Sequence, residues 1–176
     1  MRDLLLQQQR SGKMAEIYTD PEDPEVFHVS YILDVSQESL LEFCVGVHGE
    51  FDGYAAEYIQ DVWQVESGTP YLKKLERLGK KNFFKADIGV THGDPFLFLV
   101  NLAILQRQIT AMDLWEEEDS LTGYLTKLED GRLLVRRVSD LGEDEGETVI
   151  SPSDIRRILV GDVEGRELDY LYYYED

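Results

Sequence analysis

"GEFDG" at residues 49–53 and "GEDEG" at residues 142–146 share an outline of two glycines framing acids. Taken alone, either stretch reads as a metal loop, a phosphate cradle or a turn. An offset of 93 residues superposes the two. The same offset brings Tyr31 onto Tyr124, Leu40 onto Leu133, Asp61 onto Asp154, Gly68 onto Gly161, Leu75 onto Leu168 and Leu78 onto Leu171. Phe51 becomes Asp144 and Asp52 becomes Glu145, while the outer glycines and the first glutamate persist. A ligand site would not survive that exchange, but a turn that needs glycine at fixed backbone positions would. The stretch therefore reads as evidence of a tandem repeat. Upstream, an offset of 97 pairs Ile17 with Leu114 and Leu5 with Leu102, which makes the first loop of the second copy shorter.

Each copy then carries the same order of signals. A short helix comes first: "RDLLLQQQ" ends at Gly12, and "FLFLVNLAILQRQ" is opened by Asp94 and Pro95. The second of these helices is apolar almost all round and is expected to be buried on several sides. Short alternating strands follow. They are "AEIYT", "FHVSYILDV", "SLLEFCVGV", "YAAEYI" and "DVWQVES" in the first copy, and "TAMDLWEE", "LTGYLTKLE", "RLLVRRVS", "ETVIS" and "IRRILVG" in the second. Asp130-Gly131, inside "LEDGR", is a tight-hairpin signal. Thr69 and Pro70 open a further helix, "YLKKLERL", which runs to Gly79, and "RELDYLYYYED" closes the chain. The expected fold is mainly β with flanking helices, forming two tandem small antiparallel barrels, each preceded by a short helix. The boundaries are 1–79 for the first barrel, 80–93 for a linker and 94–176 for the second barrel.

A helix followed by five short strands, with a tight turn between the second and third, resembles the Sm-like fold; another SH3-like small barrel is the rival. The resemblance is best in "GYLTKLEDGRLLV", 123–135, where Gly123, Leu125 and Leu128 match the family's first motif. Glu129 stands where Asp is usual, and Arg132-Leu133 replace Met-Asn. In RNA-binding Sm proteins that Asn and a later Arg-Gly hold a base. Neither copy has the Asn, and "EYIQDV" and "VISPSDI" lack the Arg-Gly. The resemblance thus implies the barrel and argues against the family's RNA pocket.

Charge points the same way. Acids outnumber bases 36 to 17, the formal net charge is -19 and the pI about 4.4. Both halves are acidic, so nucleic acid is disfavoured as a partner. The strip Arg136, Arg137, Arg156 and Arg157 is the one opening for RNA binding. No run of about 18 apolar residues exists, so no membrane span is expected, and "MRDLLLQQQRSGK" does not read as a signal peptide. Cys44 is the only cysteine, which excludes a disulfide framework and a multi-cysteine zinc site; it is expected as an inert packed thiol in a cytoplasmic protein.

Catalytic patterns are missing. His28, His48 and His92 are scattered without metal-ligand spacing, and no site is expected from the three together. Asp61 and Asp154 are expected to cap short turns. The stretch beginning at Asp140 fails the EF-hand pattern at its third and twelfth positions. No catalytic residue, cofactor or metal is assigned. The functional expectation is a non-enzymatic protein-interaction or scaffold module whose partner is unknown, acting as an intramolecular pseudo-dimer or a homo-oligomer. The alternative is an acidic electrostatic inhibitor that mimics nucleic acid or neutralises a basic toxin. The candidate interface comprises Phe96, Phe98, Leu99 and Leu102 on the apolar helix, and Tyr170, Tyr172, Tyr173 and Tyr174 at the end of the chain.

Overall fold

A computed structural model describes residues 1–79, 93–116 and 120–173. The chain divides into two units: Met1–Gly53 with Glu57–Pro95, and Tyr54–Ala56 with Phe96–Asp176. Most of the 80–93 linker expected from the sequence lies outside the described residues.

The first unit runs α1 (Arg2–Ser11), β1 (Met14–Tyr18), β2 (His28–Val35), β3 (Ser39–Val45), β4 (Phe51–Tyr58, whose Tyr54–Ala56 count with the second unit), a 3-10 turn (Ile59–Asp61), β5 (Gln64–Glu66) and α2 (Pro70–Gly79). The second runs α3 (Pro95–Gln106), β6 (Ile109–Leu114), β7 (Leu121–Glu129), β8 (Arg132–Val138), β9 (Asp144–Ile150), a 3-10 turn (Pro152–Asp154), β10 (Ile155–Val160) and α4 (Val163–Tyr173). The strands of the first unit are ordered β5-β1-β2-β3-β4, and those of the second β10-β6-β7-β8-β9. The described residues are mainly β with four helices. Among the described residues no pairing joins β4 to β5 or β9 to β10, so each set is an open antiparallel sheet rather than the closed small barrel expected from the alternating strands.

Local chemistry places the boundaries. Gly12 ends α1 in the left-handed region at φ 61, and its N–H bonds to Gln9 O. Thr69 Oγ1 accepts the Leu72 N–H, which caps α2. Asp130 and Gly131 both have positive φ, 52 and 71, and connect Glu129 to Arg132 as a two-residue primed turn. Ser151 and Asp154 form a capping box on the second 3-10 turn, so Asp154 is the turn cap that the sequence suggested.

Equivalent positions take equivalent backbones. Gly49 and Gly142 have φ 79 and 81, Gly53 and Gly146 have 86 and 85, and Gly68 and Gly161 have 71 and 72. The β2–β3 register slips between Ile32 and Asp34, and the β7–β8 register slips at the corresponding Leu125 and Lys127. The first strand of each unit corrects the sequence alignment. Ile17 pairs with Val65 and Met112 pairs with Ile158, so Met112, not Leu114, is the counterpart of Ile17, and the upstream offset is 95 rather than 97. The apolar run of the second helix could not fix its own phase, and only the strand pairing does.

Each unit has its own core. In the first, Leu5, Ala15, Ile17, Ile32, Val35, Leu40, Ile59 and Val62 pack together. In the second, Ile109, Tyr124, Val138 and Leu168 form a cluster joined by Tyr172. Helix α3 buries Phe96, Leu99, Val100 and Ala103, one stripe at helical spacing, while Leu97 and Leu105 are exposed. It therefore buries a single face rather than several. No helix among the described residues is long and apolar enough to cross a membrane.

Candidate protein-binding surface

The expected interface residues separate into two kinds. Phe96 and Leu99 are core residues, and Phe98 and Leu102 are half-buried. Helix α4 behaves differently. Leu168 points into the core, and Tyr172 packs on Tyr124 with ring centroids 5.2 Å apart. Tyr170 and Tyr173, three residues apart and so on neighbouring parts of one helical face, are 61% and 66% exposed. Tyr174 lies outside the described residues.

The anchored side of α4 is held by polar as well as apolar contacts. Tyr124 Oη donates to Asp169 Oδ1 at 2.7 Å, and Tyr172 Oη donates to Asp144 Oδ2 at 3.3 Å. Burial, and then the Asp169 carboxylate, pushes the Tyr124 hydroxyl far above the usual tyrosine range. Tyr124, Tyr172 and Tyr173 line a recess of about 370 Å³ together with Ile104, Arg107 and Arg136. Arg107 sits at φ 53 immediately after α3, in the place that Gly12 holds after α1. The outer side of α4 is a shallow groove of Val163, Arg166, Glu167, Tyr170 and Leu171. Glu164 and Glu167 are exposed beside these apolar groups.

Three of the four arginines of the strip make contacts within their own unit. Arg137 pairs with Glu145 at 2.8 Å, Arg136 with Glu147 at 3.3 Å, and Arg156 lies 5.8 Å from the centre of the Trp115 ring. Cys44 is buried and reduced in β3.

A polar cluster in the first unit escaped the sequence reading. His28 on β2, Glu42 on β3 and Glu57 on β4 bring one donor atom each to within 4.8 Å of one another. The three histidines do not come together by spacing in the sequence, whereas the fold groups one histidine with two glutamates. The available signal was a glutamate inside each of two apolar strands, "LLEFC" and "YAAEY". A buried carboxylate there requires a partner.

No family model, no curated protein and no solved structure matches this chain.

Proposed function

We propose that the chain is a non-enzymatic protein-binding module made of two Sm-like units from a duplicated segment, and that it takes a cationic protein partner on the outer face of α4. The observation that carries this reading is the exposure of Tyr170 on the outer groove and of Tyr173 at the rim of the recess, on a helix that Leu168 and Tyr172 fix to the core. Exposed aromatics on a rigid helix offer large contact area with little side-chain entropy to lose, as interface anchors do. Glu164 and Glu167 flank them, and the chain as a whole carries a net charge of -19. Lysine or arginine side chains of a partner would find both carboxylates and ring faces there.

The duplication is supported by the repeated element order, the matched glycine conformations and the equivalent register slips. The Sm-like reading rests on the helix and five strands of each unit and on the tight turn at Asp130-Gly131. RNA is the weaker partner, because Arg136 and Arg137 already face carboxylates on β9. A cytoplasmic location accords with the single free cysteine.

The test compares wild type with the double variant Tyr170→Ala/Tyr173→Ala as bait, followed by binding measurements on the purified partner. A basic partner that binds the double variant at least about tenfold more weakly, and binds wild type more weakly as salt rises, supports the reading. Equal binding by both baits, or a partner that is acidic, contradicts it.

A further inference from the structure

We propose that His28, Glu42 and Glu57 hold a divalent first-row transition-metal ion, with zinc as the first candidate, and that this ion ties β2, β3 and β4 together. His28 Nε2 lies 3.2 Å from Glu42 Oε1 and 3.6 Å from Glu57 Oε1. Donors bound at about 2.1 Å around one ion sit about 3.0–3.4 Å apart in tetrahedral or octahedral geometry, so the His28–Glu42 spacing already fits and the His28–Glu57 spacing needs only a slight closing. An imidazole nitrogen with two carboxylate oxygens is a donor set that suits zinc, manganese or ferrous iron and leaves a position for water.

Burial gives the cluster its chemical reason. The Glu42 and Glu57 side chains are 0% and 3% exposed, and the His28 side chain is 23% exposed. Two carboxylates held this close and out of water repel each other, and a divalent ion between them would supply two positive charges. The partial exposure of His28 gives the ion a route in from solvent. Ser30, itself fully buried, donates its hydroxyl to Glu42 Oε1 and fixes that carboxylate's orientation, as outer-shell partners of metal ligands do. Strand pairing explains the convergence. Ile17 faces His28, Ala15 faces Ser30 and Ile32 faces Glu42, and Ile17, Ala15 and Ile32 all belong to the core cluster. Paired residues share a sheet face, so His28, Ser30 and Glu42 lie on the inward face of the first unit.

The experiment uses the full chain, freed of metal by chelator and then dialysed. Titration calorimetry with zinc chloride and, separately, manganese chloride reads stoichiometry and affinity, with magnesium chloride as control for diffuse binding to surface acids. One equivalent of zinc or manganese is expected to bind wild type. His28→Ala and Glu57→Gln are expected to weaken binding at least about 100-fold, and Ser30→Ala about tenfold. At free ion about 100-fold above the dissociation constant, the melting temperature of wild type should rise by about 5–10 °C, and that of His28→Ala should not move. The proposal is overturned if no stoichiometric binding is seen, or if His28→Ala binds like wild type. If Glu57→Gln does not fold, as judged by circular dichroism, the comparison of wild type with His28→Ala at the partly exposed ligand decides.

Discussion

Gly49 and Gly142 are the same device built twice: each is the point where the backbone turn after the third strand receives the closing helix of its unit. A Cβ at Gly49 would lie 2.7 Å from Gly79 N and 2.8 Å from Leu75 O, both on α2. A Cβ at Gly142 would lie 2.5 Å from Leu171 Cβ and 3.2 Å from Tyr172 N, both on α4. Both glycines also have positive φ. The outlines of "GEFDG" and "GEDEG" persist because a helix rests on their first glycines, while the side chains between them are free to change.

Replacing either glycine by alanine therefore combines left-handed strain with a clash. Gly49→Ala and Gly142→Ala should each destabilise by about 2–4 kcal/mol. Gly68→Ala, at φ 71 with nothing within 4 Å, should lose only about 1 kcal/mol. Urea unfolding of the three variants checks the order; equal losses at all three positions would mean that helix seating plays no part.

Thr69 has two duties. Its Oγ1 caps α2 and also donates to Glu16 Oε1 at 2.5 Å, where Glu16 is 3% exposed and stands opposite Glu66 across the β1–β5 pair. Thr69→Val keeps the shape and removes both bonds, so stability should fall by about 2 kcal/mol, and Thr69→Ser should restore most of it. Thermal melts of the pair separate the hydroxyl from the methyl group.

Alkali should loosen the fold before it modifies anything else. Burial is the first cause that raises Tyr18, Tyr31, Tyr54, Tyr58 and Tyr124 above the ordinary tyrosine value, with the hydrogen bond to Asp169 next at Tyr124. A folded-state pKa above the unfolded one gives stability that is complete below about pH 10 and is lost as pH rises beyond it, because the unfolded chain releases protons that the folded chain keeps. The melting temperature should thus decline from about pH 10 upward, and tyrosinate absorbance should rise together with unfolding. Tyr124→Phe should soften the decline. A tyrosinate signal that appears in the still-folded protein would show these hydroxyls to be accessible.

Much of this was legible in the chain because glycine and capping residues carry their conformations openly. The left-handed glycines at 49, 53, 142 and 146, the Asp130-Gly131 turn, the Thr69 cap and the Asp154 cap follow from local chemistry, and the structure keeps each of them. The upstream offset did not follow, since a helix that reads apolar on every side gives no phase; the Met112–Ile158 pairing supplies it. Sheet closure did not follow either, because alternation specifies which face is buried and not whether the edge strands meet. In the candidate surface, composition marked the tyrosines but could not say that Tyr172 packs inward, that Tyr170 lies on the outer groove, or that the exposed Tyr173 lines the recess beside Tyr124. The His28 cluster was hidden for a related reason: its members are 14 and 15 residues apart along the chain and converge only through strand pairing.

The most direct test of the central claim places a photo-crosslinking side chain at position 170 and, as a control, at position 149, where Val149 on β9 is 55% exposed. Illumination in the source cell, followed by denaturing purification, reads which proteins touch each position. The account predicts a dominant adduct with a basic protein at 170, lost when salt is raised before illumination, and none at 149. Equal adducts at the two positions, no adduct at 170, or an acidic protein captured there would contradict it.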